Sequence, residues 1–288
     1  MSRNDKSSGN KSGRQGGGAK KKSFARGNAP MKKSWDRTRP KGAPKQTPKK
    51  DSDGIRLNKF IANAGICSRR EADVLIAAGN VTVNGKLVTE MGYKVQPTDE
   101  VRFDGKRIVA EPIEYVLLNK PKGFITTTAD EKGRKTVMDL VANATRSRIV
   151  PVGRLDRPTT GLLLLTNDGD LAKKLTHPAS GVSKLYHVGL DKNLTMADMN
   201  KIRNGLTLDD GPIEVDEISY IDNAGKREVG VRIHSGRNRI IRRIFAHLGY
   251  EVVMLDRVLF ANLTKKDLPR GHWRFLTKQE VINLKNLK

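Results

Sequence analysis

Cysteine is nearly missing from this sequence. Cys67 is the only one in 288 residues, so an intrachain disulfide is impossible and a cysteine-based zinc site has no support. Long apolar runs are missing as well. The longest, Leu162-Leu163-Leu164-Leu165, is strand-sized, far short of the roughly 20 residues that a membrane-crossing helix needs. The first 50 residues contain no apolar stretch of the kind a secretory signal carries. Metal-site patterns are absent: His177, His187, His234, His247 and His272 form no HExxH and no Cys/His pair. The segment from Gly79 to Lys86 imitates a phosphate-binding loop, but Gly85 comes six positions after Gly79 instead of five, and Leu87 replaces the required Ser or Thr. Acidic residues are scarce, 31 Asp and Glu against 55 Lys and Arg, a formal net charge of +24. That balance favours a polyanionic partner: RNA, DNA or an anionic membrane surface. With no span and no leader, the expectation is a cytoplasmic protein that binds nucleic acid and engages no membrane.

The charge is unevenly spread. Residues 1–50 carry 16 Lys and Arg but only Asp5 and Asp36, with Phe24 and Trp35 the only aromatics. Such a segment buries too little apolar surface to offset its ordering entropy, so a disordered basic tail is expected over 1–54. Helical spacing then begins with Leu57, Phe60, Ile61 and Ala64, and Gly65 ends it. Ser68 followed by Glu71 is a capping-box signature ahead of Ala72, Leu75 and Ile76. Next, Val81-Thr82-Val83-Asn84-Gly85-Lys86-Leu87-Val88 predicts a hairpin, since a type I′ turn needs positive φ at both central positions. With a strand near 99–103, this makes a helix-helix-hairpin unit over 55–103, and 104–113 reads as a linker. From Tyr115 onward, strands are expected over 115–119, 161–166, 184–190, 213–220, 228–234 and 251–260. Helices are expected near 136–142, 169–176, 195–204, 238–248 and 277–286. The two types do not alternate strictly, which predicts an α+β fold with a mostly antiparallel sheet and flanking helices. No repeat of 20–50 residues is visible.

Three segments carry candidate chemistry. Arg69 and Arg70 open the second helix, where cations oppose the helix dipole; they form either a solvated basic face or a phosphate-binding one. In Val152-Gly153-Arg154-Leu155-Asp156-Arg157-Pro158-Thr159-Thr160-Gly161, a carboxylate sits between two arginines on a proline-containing turn. Asp156 there either shapes the turn or acts as nucleophile or base. Asp168 reads as turn and helix-cap chemistry. In the last basic helix, Ile240, Ile241, Ile244, Phe245 and Leu248 fall on one side at about 100° per residue, and Arg239, Arg242 and Arg243 on the other. Those arginines either face water, meet phosphate, or pair with a buried carboxylate.

Taken in order, these motifs resemble a known family. The helices and the VNG hairpin resemble the small RNA-binding domain named for ribosomal protein S-four. The string from Gly153 to Ala172 resembles the catalytic motif of the RsuA-type pseudouridine synthases that act on ribosomal RNA, on their large-subunit RluB-like branch. Lys184-Leu185-Tyr186 resembles that family's K-x-Y motif, and Gly236 to Arg243 its GRNRQIRR motif, with Ile240 where Gln is usual. Gly271-His272-Trp273-Arg274-Phe275-Leu276-Thr277 is similar to its closing G-x-W-R-x-L-T. The similarity covers about 55–278.

The resemblance implies a catalytic domain over 114–288 that isomerises a uridine of 23S ribosomal RNA, with a 16S uridine as the alternative target. It implies Asp156 as the essential carboxylate, either attacking covalently or deprotonating the sugar. Tyr186 would stack on the uracil, Arg242 would ion-pair with Asp156, and Arg154 would hold the nucleotide out of the RNA helix. Arg69, Arg70, Lys184, Arg237, Arg239 and Arg243 would contact RNA. The chemistry calls for no cofactor, no metal and no small-molecule partner, and a monomer is expected. The rival expectation is a non-catalytic RNA-binding ribosome-assembly factor. Deleting residues 1–50 removes fourteen net positive charges, so RNA affinity should fall and its salt dependence should become shallower. Identical salt slopes for the full and truncated chains would refute an RNA role for the tail.

Overall fold

The computed structural model describes residues 54–287; the expected tail over 1–54 falls almost wholly outside them. The first unit begins with β1 (Ile55–Arg56), α1 (Leu57–Asn63) and α2 (Arg69–Ala77). The capping box forms as expected: Glu71 N–H donates to Ser68 Oγ at 3.3 Å and Ser68 N–H to Glu71 Oε2 at 2.7 Å. Then follow β2 (Val81–Val83), β3 (Lys86–Leu87), β4 (Lys94–Val95), β5 (Val101–Phe103) and β6 (Lys106–Arg107). Asn84 and Gly85 take φ of 50° and 76° in the hairpin turn, and β3-β2-β5-β6 make a four-stranded sheet. Leu57, Ile61, Ala72, Ile76, Val81, Val83 and Val101 form its core. The expected linker therefore starts too early: Asp104 and Gly105 make a second positive-φ turn, and β6 still belongs to the sheet. The pairing of β1 with β4 was also unexpected, since two-residue strands leave no alternation to read.

The larger unit runs β7 (Tyr115–Lys120), α3 (Val137–Val141), β8 (Val150–Pro151), β9 (Thr160–Thr166), α4 (Gly169–Thr176), β10 (Lys184–Leu190) and α5 (Met196–Arg203). It continues with β11 (Leu206–Leu208), β12 (Gly211–Ile213), β13 (Glu217–Tyr220), β14 (Glu228–Ile233), α6 (Ile240–His247), β15 (Val252–Phe260), β16 (Leu263–Thr264), β17 (Trp273–Phe275) and α7 (Lys278–Lys285). Its main sheet has the order β13-β14-β10-β15-β9-β7-β17. All pairs are antiparallel except β9 with β15, which is parallel. Strands β7 and β9 are buried on both faces, as their unbroken apolar runs require. Leu117, Leu162 and Leu164 pack toward α4 and α7, whereas Val116, Leu118, Leu163 and Leu165 pack toward α3. Around β10, β14 and β15, Val188, Val229, Val231 and Leu255 meet Met199 of α5 and Ile241, Ile244 and Phe245 of α6. Among the described residues no helix is long and apolar enough to cross a membrane.

The expected strand over 213–220 is two different things. Residue Ile213 ends the hairpin β11–β12, turned at Asp209-Asp210, and β13 begins only at Glu217. The expected helix over 238–248 starts at Ile240, because Arg239 adopts a left-handed conformation, φ 48° and ψ 31°, just before it.

One glycine sets the geometry of the sheet centre. Gly161 has φ +106°, and a Cβ there would overlap the backbone N and O of Arg257. Only glycine lets β9 and β15 approach this closely where they pair. Gly161→Ala should lower stability by about 3 kcal/mol or more, through left-handed strain and the backbone clash; urea unfolding of the two proteins measures this, and equal midpoints would refute the close-approach argument.

Candidate active site

Asp156 lies on the loop between β8 and β9, and that loop is held by its backbone. Lys120, at the end of β7, has no solvent exposure. Its Nζ donates toward the carbonyl oxygens of Thr159 at 2.8 Å, Pro121 at 3.1 Å, Asp156 at 3.2 Å and Arg157 at 3.4 Å. Thr126 Oγ1 donates to Leu155 O at 2.8 Å, and Gly123 N–H to Arg157 O at 2.9 Å. The carbonyls of residues 155, 156, 157 and 159 are thus all engaged. With the backbone occupied this way, the Asp156 carboxylate is presented from a fixed base, one-third exposed.

The carboxylate opens onto a cavity of about 180 Å³. Arg154, Arg239, Tyr186, Lys184, Thr159 and Arg257 are among the residues that line it. Arg239 Nη1 stands 3.9 Å from Asp156 Oδ2, with its side chain half exposed. The left-handed backbone of Arg239 at the α6 N-cap turns this side chain, which sequence reasoning assigned to RNA, toward the carboxylate. A non-glycine residue in that region costs free energy that the surrounding fold must offset. Tyr186 lies on β10 opposite Arg257 of β15, half-buried in the cavity wall.

Arg242 does not make the expected pair. Its Nη1 donates to Val252 O at 2.6 Å, and its Nε is buried without a hydrogen-bond partner. Burial pushes the Arg242 pKa down, Arg239 adds to that, and the Asp156 charge acts the other way. Arg242 therefore feels Asp156 electrostatically while bonding to β15, and Arg239 takes the ion-pair position. The physical reason is helical phase: Arg239 precedes the helix and faces the loop, whereas Arg242 lies a turn on, against the strand.

Two other motif arginines are spent inside the fold. Arg237 Nη2 donates to Asp210 Oδ1 at 2.6 Å and Nη1 to Pro212 O at 2.6 Å. Arg243 Nη1 donates to Asp210 Oδ2 at 2.8 Å, and Nη2 bonds Asp209. The Arg243 hydrogen bonds, with those of Arg237, hold the Asp210 carboxyl well below the usual range. These arginines brace the β11–β12 hairpin against α6 instead of presenting free cations to RNA. Lys184 is inside the cavity wall, with Nζ donating to His234 O at 2.7 Å and Val182 O at 3.0 Å. Burial, then the charge of Arg257, pushes its pKa down to about 8. Arg154 is exposed at the cavity mouth. Arg69 and Arg70 are exposed on the first turn of α2 and do not line this cavity.

Sequence reasoning missed Lys120, Asp256 and Arg257. Asp256 and Arg257 are charges inside a mostly apolar strand and Lys120 closes another, and that mismatch was the available signal. Asp256 is buried between Arg270 Nη1 at 2.9 Å, Thr160 Oγ1 at 2.8 Å and Lys265. Burial alone would raise its pKa, but these partners win and hold it near about 2. The group joins β9, β15 and the segment before β17. Among the described residues, no set of three His, Cys, Asp or Glu is placed to hold a metal ion.

Comparisons with known proteins find relatives along most of the chain. The family described as RNA pseudouridylate synthase matches residues 114–247, and the S4 domain matches residues 55–101. The chain is 42% identical over 236 residues to ribosomal large subunit pseudouridine synthase B of Bacillus subtilis, covering 81% of this chain and 96% of that protein. It is 38% identical over 235 residues to the dual-specificity RNA pseudouridine synthase RluF of Escherichia coli K12, covering 80% and 78%. A crystal structure of a pseudouridylate synthase superposes with a TM-score of 0.57 at 29% identity, covering 80% of this chain and 99% of that one.

Burial lowers the Lys120 pKa to about 8, whereas an unfolded lysine keeps its proton to about 10.4. The buried charge therefore costs stability up to pH 8, and that cost lifts between pH 8 and about 10.4. The same deprotonation weakens the clamp. Lys120→Met should cut kcat by roughly a hundredfold, as expected when a reacting group is misplaced by an ångström, with KM little changed. The wild-type rate should fall as pH rises through 8, a limb the variant lacks. Equal kcat, or the same limb in both proteins, would show that Lys120 does not position Asp156.

Proposed function

The chain belongs to the RNA pseudouridylate synthase family, and from that premise we propose that it isomerises one specific uridine of large-subunit (23S) ribosomal RNA to pseudouridine. The observation that carries the reading is a carboxylate, Asp156, on a backbone-pinned loop at the mouth of a cavity walled by Tyr186. The reaction breaks the N1–C1′ bond, turns the uracil and joins C5 to C1′, while the C5 proton is lost and N1 gains one. Nothing is oxidised or reduced, so the chain's own groups must supply positioning, proton transfer and charge.

On this reading Asp156 is the reacting carboxylate, either bonding covalently to the nucleotide or taking a proton from the sugar. Arg239, at 3.9 Å, keeps its charge balanced before RNA arrives. Arg242 contributes to that balance from behind, through its field. Tyr186 offers its ring to the uracil face. The target base must leave its stack, at a cost of a few kcal/mol. Arg154 at the cavity mouth is suited to filling the gap in the RNA, and stacking on Tyr186 returns part of the cost. The unit over 55–103, with Arg69 and Arg70 on its surface, would grip RNA backbone alongside the basic N-terminal segment, and the protein would act as a cytoplasmic monomer. A protein that only bound RNA would gain nothing from a carboxylate fixed inside its basic surface, which opposes phosphate.

Asp156→Asn should abolish modification, by at least about a thousandfold in kcat, while RNA affinity stays near wild type. A pseudouridine map of ribosomal RNA from cells with and without the gene, read by a label that stops reverse transcription, would show one missing site and name the nucleotide. Unchanged modification by the Asn variant would remove Asp156 from the mechanism, and an unchanged map would favour the assembly-factor reading.

A further inference from the structure

The deepest part of the cavity has its own chemistry. Arg257 is only 3% exposed, yet it lines the cavity. Its Nε donates to Leu162 O at 2.8 Å, and its guanidinium carbon lies 4.5 Å from the centre of the Phe260 ring. These two contacts fix the plane of the guanidinium. Its Nη2, however, is buried with no hydrogen-bond partner, and so is Thr159 Oγ1, another cavity residue that is nearly fully buried. Among the described residues no hydrogen bond engages Arg257 Nη1 either, and it is not closed off as Nη2 is, so the guanidinium carries an unmet demand, because buried donors without acceptors are costly and therefore rare. Lys184 stands in the same cavity, and no ion-pair partner for Arg257 occurs among the described residues. A ligand rich in acceptors is what the floor lacks.

Which acceptor arrives there follows from depth and register. Phosphates remain on the RNA strand and belong near the mouth, where Arg154 and Arg239 are exposed. Only a flipped base reaches the floor. Tyr186 and Arg257 are directly opposed across β10 and β15, so their side chains share a face and neighbour each other. A base stacked on Tyr186 turns an edge toward Arg257.

Resting on the reading above, we propose that the Arg257 guanidinium, through Nη1, is the donor that selects uracil by its carbonyl oxygens and rejects cytosine. A guanidinium can only donate. The ribose holds N1 and the adjoining O2 toward the mouth, so the C4 substituent faces Arg257: an oxygen in uracil, but an amine in cytosine, donor against donor. The reaction itself gives this choice a second use. Turning the freed uracil by 180° about its C6–N3 axis exchanges N1 with C5, as the chemistry requires, and also exchanges C2 with C4. The Arg257 donor meets a carbonyl oxygen before the turn and another after it, so the ring is held in both orientations.

The test uses the shortest ribosomal RNA transcript that the wild-type protein modifies, made with uridine, cytidine or an abasic ribose at the modified position. Affinities are measured in the Asp156→Asn background, where nothing turns over, with Arg257 intact or changed to Met or Lys. With Arg257 intact, uridine RNA should bind at least about tenfold tighter than cytidine RNA, as expected when a donor site meets the wrong edge. Arg257→Met should bring that ratio close to one while leaving abasic RNA unaffected, and Arg257→Lys should give an intermediate ratio. The Lys variant carries the test if the Met variant does not fold, as judged by circular dichroism. A uridine preference that survives in the variants would overturn the proposal, since a purely structural arginine could alter stability without altering that ratio. Equal weakening for uridine and abasic RNA would overturn it in favour of phosphate binding. A wild-type protein that modifies no transcript would overturn the synthase reading, a result distinct from either.

Discussion

Everything at the cavity depends on one buried ammonium group. Lys120 ends a mostly apolar strand closed on both faces, and it cannot reach water. Its only relief is the set of carbonyl oxygens that the Asp156 loop turns inward, so loop and lysine each satisfy what the other would leave unpaired. The loop is consequently rigid without help from its side chains. That leaves the Asp156 carboxylate with no part in holding the loop, and it explains why a short, proline-containing turn can serve as a foundation. Replacing the lysine would leave three or four carbonyls in search of donors, which is why its influence reaches beyond its own charge.

A second theme is the separation of positive charge by use. The chain is strongly basic, but the arginines of the α6 region do different work according to their angle. Arg237 and Arg243 are consumed by Asp209 and Asp210 and brace a hairpin. Arg242 bonds to the backbone of β15. Arg239 alone faces the carboxylate, and does so from a strained backbone. The exposed cations suited to phosphate lie at the cavity mouth and on α2, while the cations at the floor are dry and oriented. Net charge says that the molecule attracts a polyanion; burial says which cations meet it.

Much of this was legible in the residues before any coordinates. The Ser68–Glu71 box, the Asn84-Gly85 turn, the apolar runs of β7 and β9 and the cap at Asp168 each express a local rule, and each forms where its rule puts it. The rest needed tertiary facts. The β11–β12 hairpin escaped because its strands are three residues long, too short for an alternating pattern to show. The pairing of Arg242 with Asp156 rested on resemblance, while periodicity gives the face of a helix but not the Val252 carbonyl that lies opposite. Lys120, Asp256 and Arg257 left a trace only as charges out of place in apolar strands, and no pattern at one position says which partner will answer such a charge.

The parallel join of β9 to β15 carries a consequence for how the protein is made. Gly161 and Arg257 are 96 positions apart in the chain, and the Asn119–Arg270 hydrogen bond that flanks them spans 151. Contacts of such separation form late and slowly, because long loops must close before the contacts reward them. A chain emerging from synthesis can complete its first helical unit early, because the contacts within residues 55–107 are short in sequence. The carboxylate acquires its floor only after the segment past residue 257 has been added. On the reading proposed above, grip precedes chemistry during biosynthesis, and a fragment cut before β15 lacks the strand that completes the cavity.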